Sequence, residues 1–382
     1  MDLPNGAANG RLKRLAALAL LLFAASAASA ADHVIHISVD GLSGPLLEAL
    51  IENDTLGHYA NFARFVDEGA STFNARTDYT HTITLPNHTS MLTGRPVSQP
   101  AGAPNTVHHG WTTNVDPPAG TTLHNGGNPN LSYVASAFDV AHDHGLATAH
   151  YASKSKFVLY EWSYDAAHGA PDLVGPDDGT DKIDTYVNTS AASMHAALLA
   201  GLAASHFEYV FVHYSTPDDV GHASGWGSSA WNNAVRTVDG YLGRLFAAIE
   251  SDPLLNGKTL VILSADHGGV GNNHVDPTQP VIYTVPFMVW GAGVQPGVDL
   301  YALNPQSRAD PGTGRPSYVD AVQPIRNGDG ANLALAALGL PPVPGSTIGA
   351  AQDLPEPGIA LPLGLGLFGL WLSPRRSWSA RS

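Results

Sequence analysis

The chain is expected to fold as an α/β domain with a mainly parallel central sheet and helices on both faces. Two observations carry that expectation. The run His33 to Val39 is mostly apolar and β-branched and stops at Asp40-Gly41, as a buried strand does when it delivers a carboxylate at its C-terminal edge. The same grammar recurs where Tyr209 to Tyr214 precedes Asp218 and where Leu260 to Leu263 precedes Asp266-His267. Segments with helix character fill the intervals, at residues 61–68, 133–144, 191–204 and 231–250. Strands alternating with helices build a parallel sheet, and such sheets place their sites beyond the carboxyl ends of the strands.

The other segments bound this domain. Residues 98–132 are rich in Pro, Gly, Asn and Thr without periodicity, which predicts an extended loop or small cap at the substrate rim. Residues 1–30 read as a secretory signal: Arg11, Lys13 and Arg14, then the apolar run Leu15 to Ala25, then Ala28-Ser29-Ala30 as a small-residue cleavage site. Residues 31–352 are then the folded domain. Beyond it, Pro355-Glu356-Pro357, the apolar run Ile359 to Leu372 and the basic end Arg375, Arg376 and Arg381 stand in a fixed order. Residues 353–382 thus resemble a PEP-CTERM sorting tail. That resemblance implies an exported protein of a Gram-negative bacterium, in the periplasm, the outer envelope or outside the cell. It also implies an exosortase-like processing partner and transient membrane contact through the tail.

The formal charge of −15 disfavours nucleic acid polymers and anionic membranes as partners of the domain. Cysteine is absent, so a metal must be held by His and carboxylate.

The strand-end acids are the chemical core. Asp40 stands alone, Asp218 and His222 are four residues apart, and Asp266 is adjacent to His267 and followed by two glycines. Singly, each is compatible with a helix cap or a turn. Jointly they bring carboxylate and imidazole to three strand ends of one sheet, a donor set that suits Zn²⁺. Thr84-Leu85-Pro86-Asn87-His88 adds a hydroxyl at or just before a helix N-terminus, because proline is favoured in the first helical turn. Free N–H groups and the dipole favour an anion there, although a plain capping role for Thr84 is equally open. Lys154 and Lys156, and His108 and His109, read as solvated or rim residues.

In this order the motifs resemble the type I phosphodiesterase and nucleotide pyrophosphatase branch of the alkaline phosphatase superfamily, from about residue 33 to 352. The resemblance implies an alkaline phosphatase-like fold and a small phosphate-ester substrate. It implies two Zn²⁺, one on Asp40, Thr84, Asp266 and His267 and the other on Asp218 and His222. Thr84 is then the nucleophile, passing through a phosphothreonine, and Asn87 matches the Asn that donates to a phosphoryl oxygen. That branch takes a further His roughly a hundred residues beyond the Asp-His pair. Here no His follows His274, so His274, seven residues after His267, is the expected third ligand of the second zinc, with His213 or Asp276 as substitutes. Thr in place of Cys or Ser argues against sulfatase chemistry. Phosphomonoesterase and phosphonate hydrolase activities stay open, as does a displayed binding protein without turnover.

Overall fold

The computed structural model describes residues 31–172 and 178–349; the expected secretory signal at 1–30 and the expected sorting tail at 353–382 lie outside the described residues. Among them run the strands β1 (His33–Val39), β2 (Ala70–Arg76), β3 (Thr148–Ala152), β4 (Thr185–Asn188), β5 (Tyr209–Tyr214), β6 (Thr259–Ser264), β7 (Thr284–Gly291) and β8 (Val298–Asp299). They form one sheet in the order β4-β3-β5-β1-β6-β7-β2-β8. The first five in this order run parallel, and β7 runs antiparallel to both β6 and β2. The expected alkaline phosphatase-like, mainly parallel sheet is present, with one reversed strand.

β1, β5 and β6 are buried along their whole length, which is why they read as continuous apolar runs. β1 lies between the other two, with Val39 opposite Tyr214 and Ser38 opposite Ser264. The three carboxyl ends that precede Asp40, Asp218 and Asp266 are therefore neighbours at the centre of one sheet edge.

Helices Gly44–Glu52, Ala60–Asp67, Ala191–Ser205 and Ser229–Ser251 pack as one layer, and Thr84–Thr93, Ala137–Asp143 and Asp329–Ala337 as the other. The longest, Ser229–Ser251, starts where the Ser228 hydroxyl accepts the Trp231 N–H and buries Val235, Val238, Leu242, Leu245 and Ile249 at helical spacing.

The core also contains imidazoles. His36 and His150 flank Phe211 across β1, β5 and β3, with ring centroids 4.9 and 5.8 Å from it. Both nitrogens of His150 and Nε2 of His36 lack a hydrogen-bond partner. His109, expected at the rim, is fully buried instead, because the Trp111 main-chain N–H donates to its Nδ1 and the Ser90 hydroxyl meets its Nε2. Its neighbour His108 stays at the loop surface against Asn128.

Burial pushes His36, His109 and His150 down to about 3. Because their folded values lie below the unfolded value near 6.5, the unfolded chain binds protons first as pH falls, so stability is lost from pH 6.5 toward 3. Each imidazole contributes up to about 1.4 kcal/mol per pH unit. Urea unfolding should give a much lower midpoint at pH 5.0 than at pH 7.5, and His150→Phe should reduce the difference. A midpoint independent of pH over that range refutes the assignment.

Candidate active site

The Asp40-Gly41 turn carries the first carboxylate off β1. Gly41 has φ +73°, and a Cβ there would lie 2.9 Å from the Asp218 Cα, so glycine is what lets the turn approach the next element so closely. That element is the helix Thr216–Ser224, which begins with Pro217 in its first turn and places Asp218 and His222 one turn apart on the same face. The Asp218 to His222 spacing, which alone was also compatible with a turn, is thus one turn of a helix. Asp266 and His267 follow β6 directly, and the glycine-rich stretch beyond them returns His274 to the same place.

Each carboxylate divides its oxygens in the same way. Asp40 Oδ2 meets His213 Nε2 at 3.1 Å and accepts from Lys154 Nζ at 2.7 Å, while Oδ1 has no partner. Asp218 Oδ2 accepts from Lys154 Nζ at 2.6 Å, and its Oδ1 has none. Asp266 Oδ1 accepts from the main-chain N–H of Gly41 and His267, at 3.1 and 2.9 Å, and its Oδ2 has none. The bare oxygens converge on His267 Nε2, itself unpartnered, at 3.4 Å from Asp40, 3.2 Å from Asp266 and 3.8 Å from Asp218.

The imidazoles are set for lone-pair donation. His267, His274 and His222 each direct Nδ1 at a main-chain carbonyl, of Gly268, Thr82 and Asn272, at 2.9, 2.7 and 3.1 Å. An Nδ1–H donating there leaves Nε2 as the acceptor, the arrangement a metal ligand needs. Burial lowers His267 to about 4 and His274 to about 3, which keeps both neutral at pH 7. Asp218 Oδ1 lies 3.5 Å from His222 Nε2 and 3.8 Å from His274 Nε2. Two trios result, Asp40, Asp266 and His267, and Asp218, His222 and His274, with the donor atoms of each trio within 4.8 Å of one another. His274 is therefore gathered with its expected partners. His213 is instead spent on Asp40 Oδ2, since the Ser153 N–H approaches its Nδ1, and Asp276 is exposed and binds Thr278 and Gln279.

Thr84 is the first residue of the helix Thr84–Thr93, after an extended Ile83. His88 fixes this turn: its Nδ1–H donates to the Thr84 carbonyl at 2.8 Å, and its Nε2 accepts from the Ser38 hydroxyl at 2.7 Å. Asn87 is fully buried. Its NH₂ donates to the carbonyls of His81 and Ile83, and its Oδ1 accepts from the Asp78 N–H and the Asn327 amide. Its amide thus braces the loop into Thr84, with neither end free for a phosphoryl oxygen. Asn114, in the irregular 98–132 segment, stands beside the helix Thr84–Thr93 instead, its Oδ1 accepting from the Leu85 N–H at 2.9 Å and from Lys156 Nζ at 3.3 Å.

Two expectations are corrected here. Lys154 is no solvated lysine: it bridges Asp40 and Asp218, and its ammonium is held charged because those carboxylates outweigh the cost of burial. Lys156 likewise is anchored on Asn114. Sequence reasoning missed both because a lysine's burial depends on partners 42 to 114 positions away in the chain. In a further trio, Asp139, Asp143 and Asp172, the first two pair with the buried Lys182 ammonium.

Residues 34–332 match the type I phosphodiesterase / nucleotide pyrophosphatase family. The 2,3-bisphosphoglycerate-independent phosphoglycerate mutase of Thermomicrobium roseum is 27% identical over 147 residues, 37% of this chain and 27% of that protein. The corresponding mutase of Chromobacterium violaceum is 26% identical over 148 residues, 36% and 28% respectively. The chain thus spans about a quarter of the length of these relatives. Among solved structures, murine ectonucleotide pyrophosphatase/phosphodiesterase 5, an inactive variant in complex with AMP, superposes with a TM-score of 0.55 at 13% identity, covering 82% of this chain and 96% of that one. At that identity the likeness is one of fold. Matched over most of its described length, the chain belongs to the type I phosphodiesterase/nucleotide pyrophosphatase family.

Proposed function

We propose that this protein hydrolyses small phosphodiesters through a covalent intermediate on Thr84, with Asp40, Thr84, Asp266 and His267 holding one zinc ion and Asp218, His222 and His274 a second. One observation carries the reading: the buried Asp40 Oδ1, Asp218 Oδ1, Asp266 Oδ2 and His267 Nε2 have no partner and face one another. Unpaired buried polar atoms are costly, and four converging at one place fit a cation of oxygen and nitrogen preference. Bound there, two dications supply Lewis-acid stabilisation of the attacking and leaving oxygens.

The chain's own residues do the rest. The helix start puts the Thr84 hydroxyl at the positive end of the dipole, where an anionic substrate is favoured. Thr84 Oγ1 loses its proton and forms a bond to phosphorus as the first alcohol leaves; water then cleaves the phosphothreonine, and two inversions give net retention. Asn114 is our candidate for the phosphoryl oxygen, because its Oδ1 is engaged and its NH₂ remains the donor end. The AMP complex of the murine relative makes nucleotide 5′-esters the first natural class to test.

The purified protein is expected to contain two zinc ions per chain. It should turn over bis-p-nitrophenyl phosphate and a nucleotide 5′-p-nitrophenyl ester faster than p-nitrophenyl phosphate or p-nitrophenyl sulfate. Full activity with one metal or none sinks the two-metal mechanism, and a monoester preference sinks the diester assignment.

A further inference from the structure

Three carboxylates stand together at the site, two of them fully enclosed, before any metal is considered. Carboxylates at such separations repel, and burial raises the cost of each charge. One ammonium answers this. Lys154 Nζ lies 2.7 Å from Asp40 Oδ2, 2.6 Å from Asp218 Oδ2 and 4.0 Å from Asp219 Oδ1, with 15% of its side chain exposed.

Its placement is built into the sheet. Lys154 follows β3, whose neighbour β5 leads into the helix that carries Asp218, and β5 pairs in turn with β1, which carries Asp40. The Asn188 amide donates to the Lys154 carbonyl at 2.8 Å. The Ser153 hydroxyl donates to the His213 carbonyl and accepts the Ser215 N–H, tying the ends of β3 and β5 together. The ammonium occupies only the Oδ2 atoms, so the Oδ1 atoms that face His267 remain bare.

We infer that Lys154 is a positioning residue and internal counter-cation. It clamps Asp40 and Asp218 by one oxygen each, letting the acidic cluster fold before a metal is bound and presenting each carboxylate as a one-oxygen donor. The role in metal presentation rests on the metal-centre reading above; the role in the metal-free fold does not.

Removing one partner of a buried ion pair leaves uncompensated charge, whereas bound dications would supply that compensation themselves. In chelated protein, Lys154→Met is expected to lower Tm by about 6–10 °C. With saturating zinc the fall should be less than half as large, so the zinc-induced rise in Tm is greater in the variant than in the wild type. Equal falls with and without zinc would reduce Lys154 to an ordinary packing contact, and no fall in chelated protein would show that the ammonium carries no load; either overturns the inference. If Lys154→Met does not fold without zinc, the double variant Lys154→Met/Asp218→Asn should restore metal-free folding by removing the unpaired charge, and its failure to do so overturns the inference too. A wild type whose Tm does not respond to zinc would instead sink the metal-centre reading, while the fall in chelated Lys154→Met would still stand.

Discussion

Replacing Thr84 with alanine is expected to reduce turnover of a phosphodiester by about three orders of magnitude or more, with the metal content unchanged. Alanine removes the hydroxyl and one methyl group and leaves the main chain as it was. The helix start is fixed by His88, which binds the Thr84 main-chain carbonyl and not the side chain, so the first turn keeps its geometry. The two trios of acidic and imidazole donors also stand without Thr84. Thr84→Ser restores the hydroxyl and should recover part of the rate. The measurement is twofold: steady-state kinetics with metal analysis, and acid quench of the wild type with mass spectrometry of the peptide containing Thr84. A phosphoryl adduct elsewhere, or an active Thr84→Ala protein, places the nucleophile at another residue.

The His274→Ala protein is expected to lose about one zinc ion per chain and at least a hundredfold in activity, because a site left with Asp218 and His222 is one protein ligand short of the usual catalytic three. His274 stacks on His267 with ring centroids 3.6 Å apart and stands 3.1 Å from His222, Nε2 to Nε2. Two imidazole nitrogens so close, with both Nδ1 atoms engaged elsewhere, place their lone pairs together. Truncation should therefore empty one trio and spare Asp40, Asp266 and His267. Inductively coupled plasma measurement on dialysed protein decides the matter. Two zinc ions retained with near-normal rates would make His274 a bystander.

Much of this site was legible in the sequence because its donors sit where the chain changes character. Asp40 and Asp266-His267 end apolar strands, and Thr84 precedes a proline that marks a helix start; such punctuation is local and readable. The outer partners were not readable, for a physical reason. Lys154 and Asn114 act through atoms brought together by the β3-β5-β1 pairing and by an irregular loop, and nothing in their neighbours along the chain distinguishes them from solvated residues. The reversed strand β7 was likewise hidden, since burial on both faces makes it as uniformly apolar as a parallel one. His109 misled because loop composition says where the chain turns, not which side chain the turn folds inward.

Thr82 is held to His274 at two points, its hydroxyl donating to the His274 carbonyl at 2.6 Å and its own carbonyl accepting from His274 Nδ1 at 2.7 Å. It stands two residues before Thr84 in the chain. The loop that leads into Thr84 and the loop that carries His274 are thus riveted to each other, and the distance between them is a single mechanical coordinate instead of two independent ones. A family member that draws its final histidine from a distant segment must hold that spacing through the whole domain; this chain holds it across one residue.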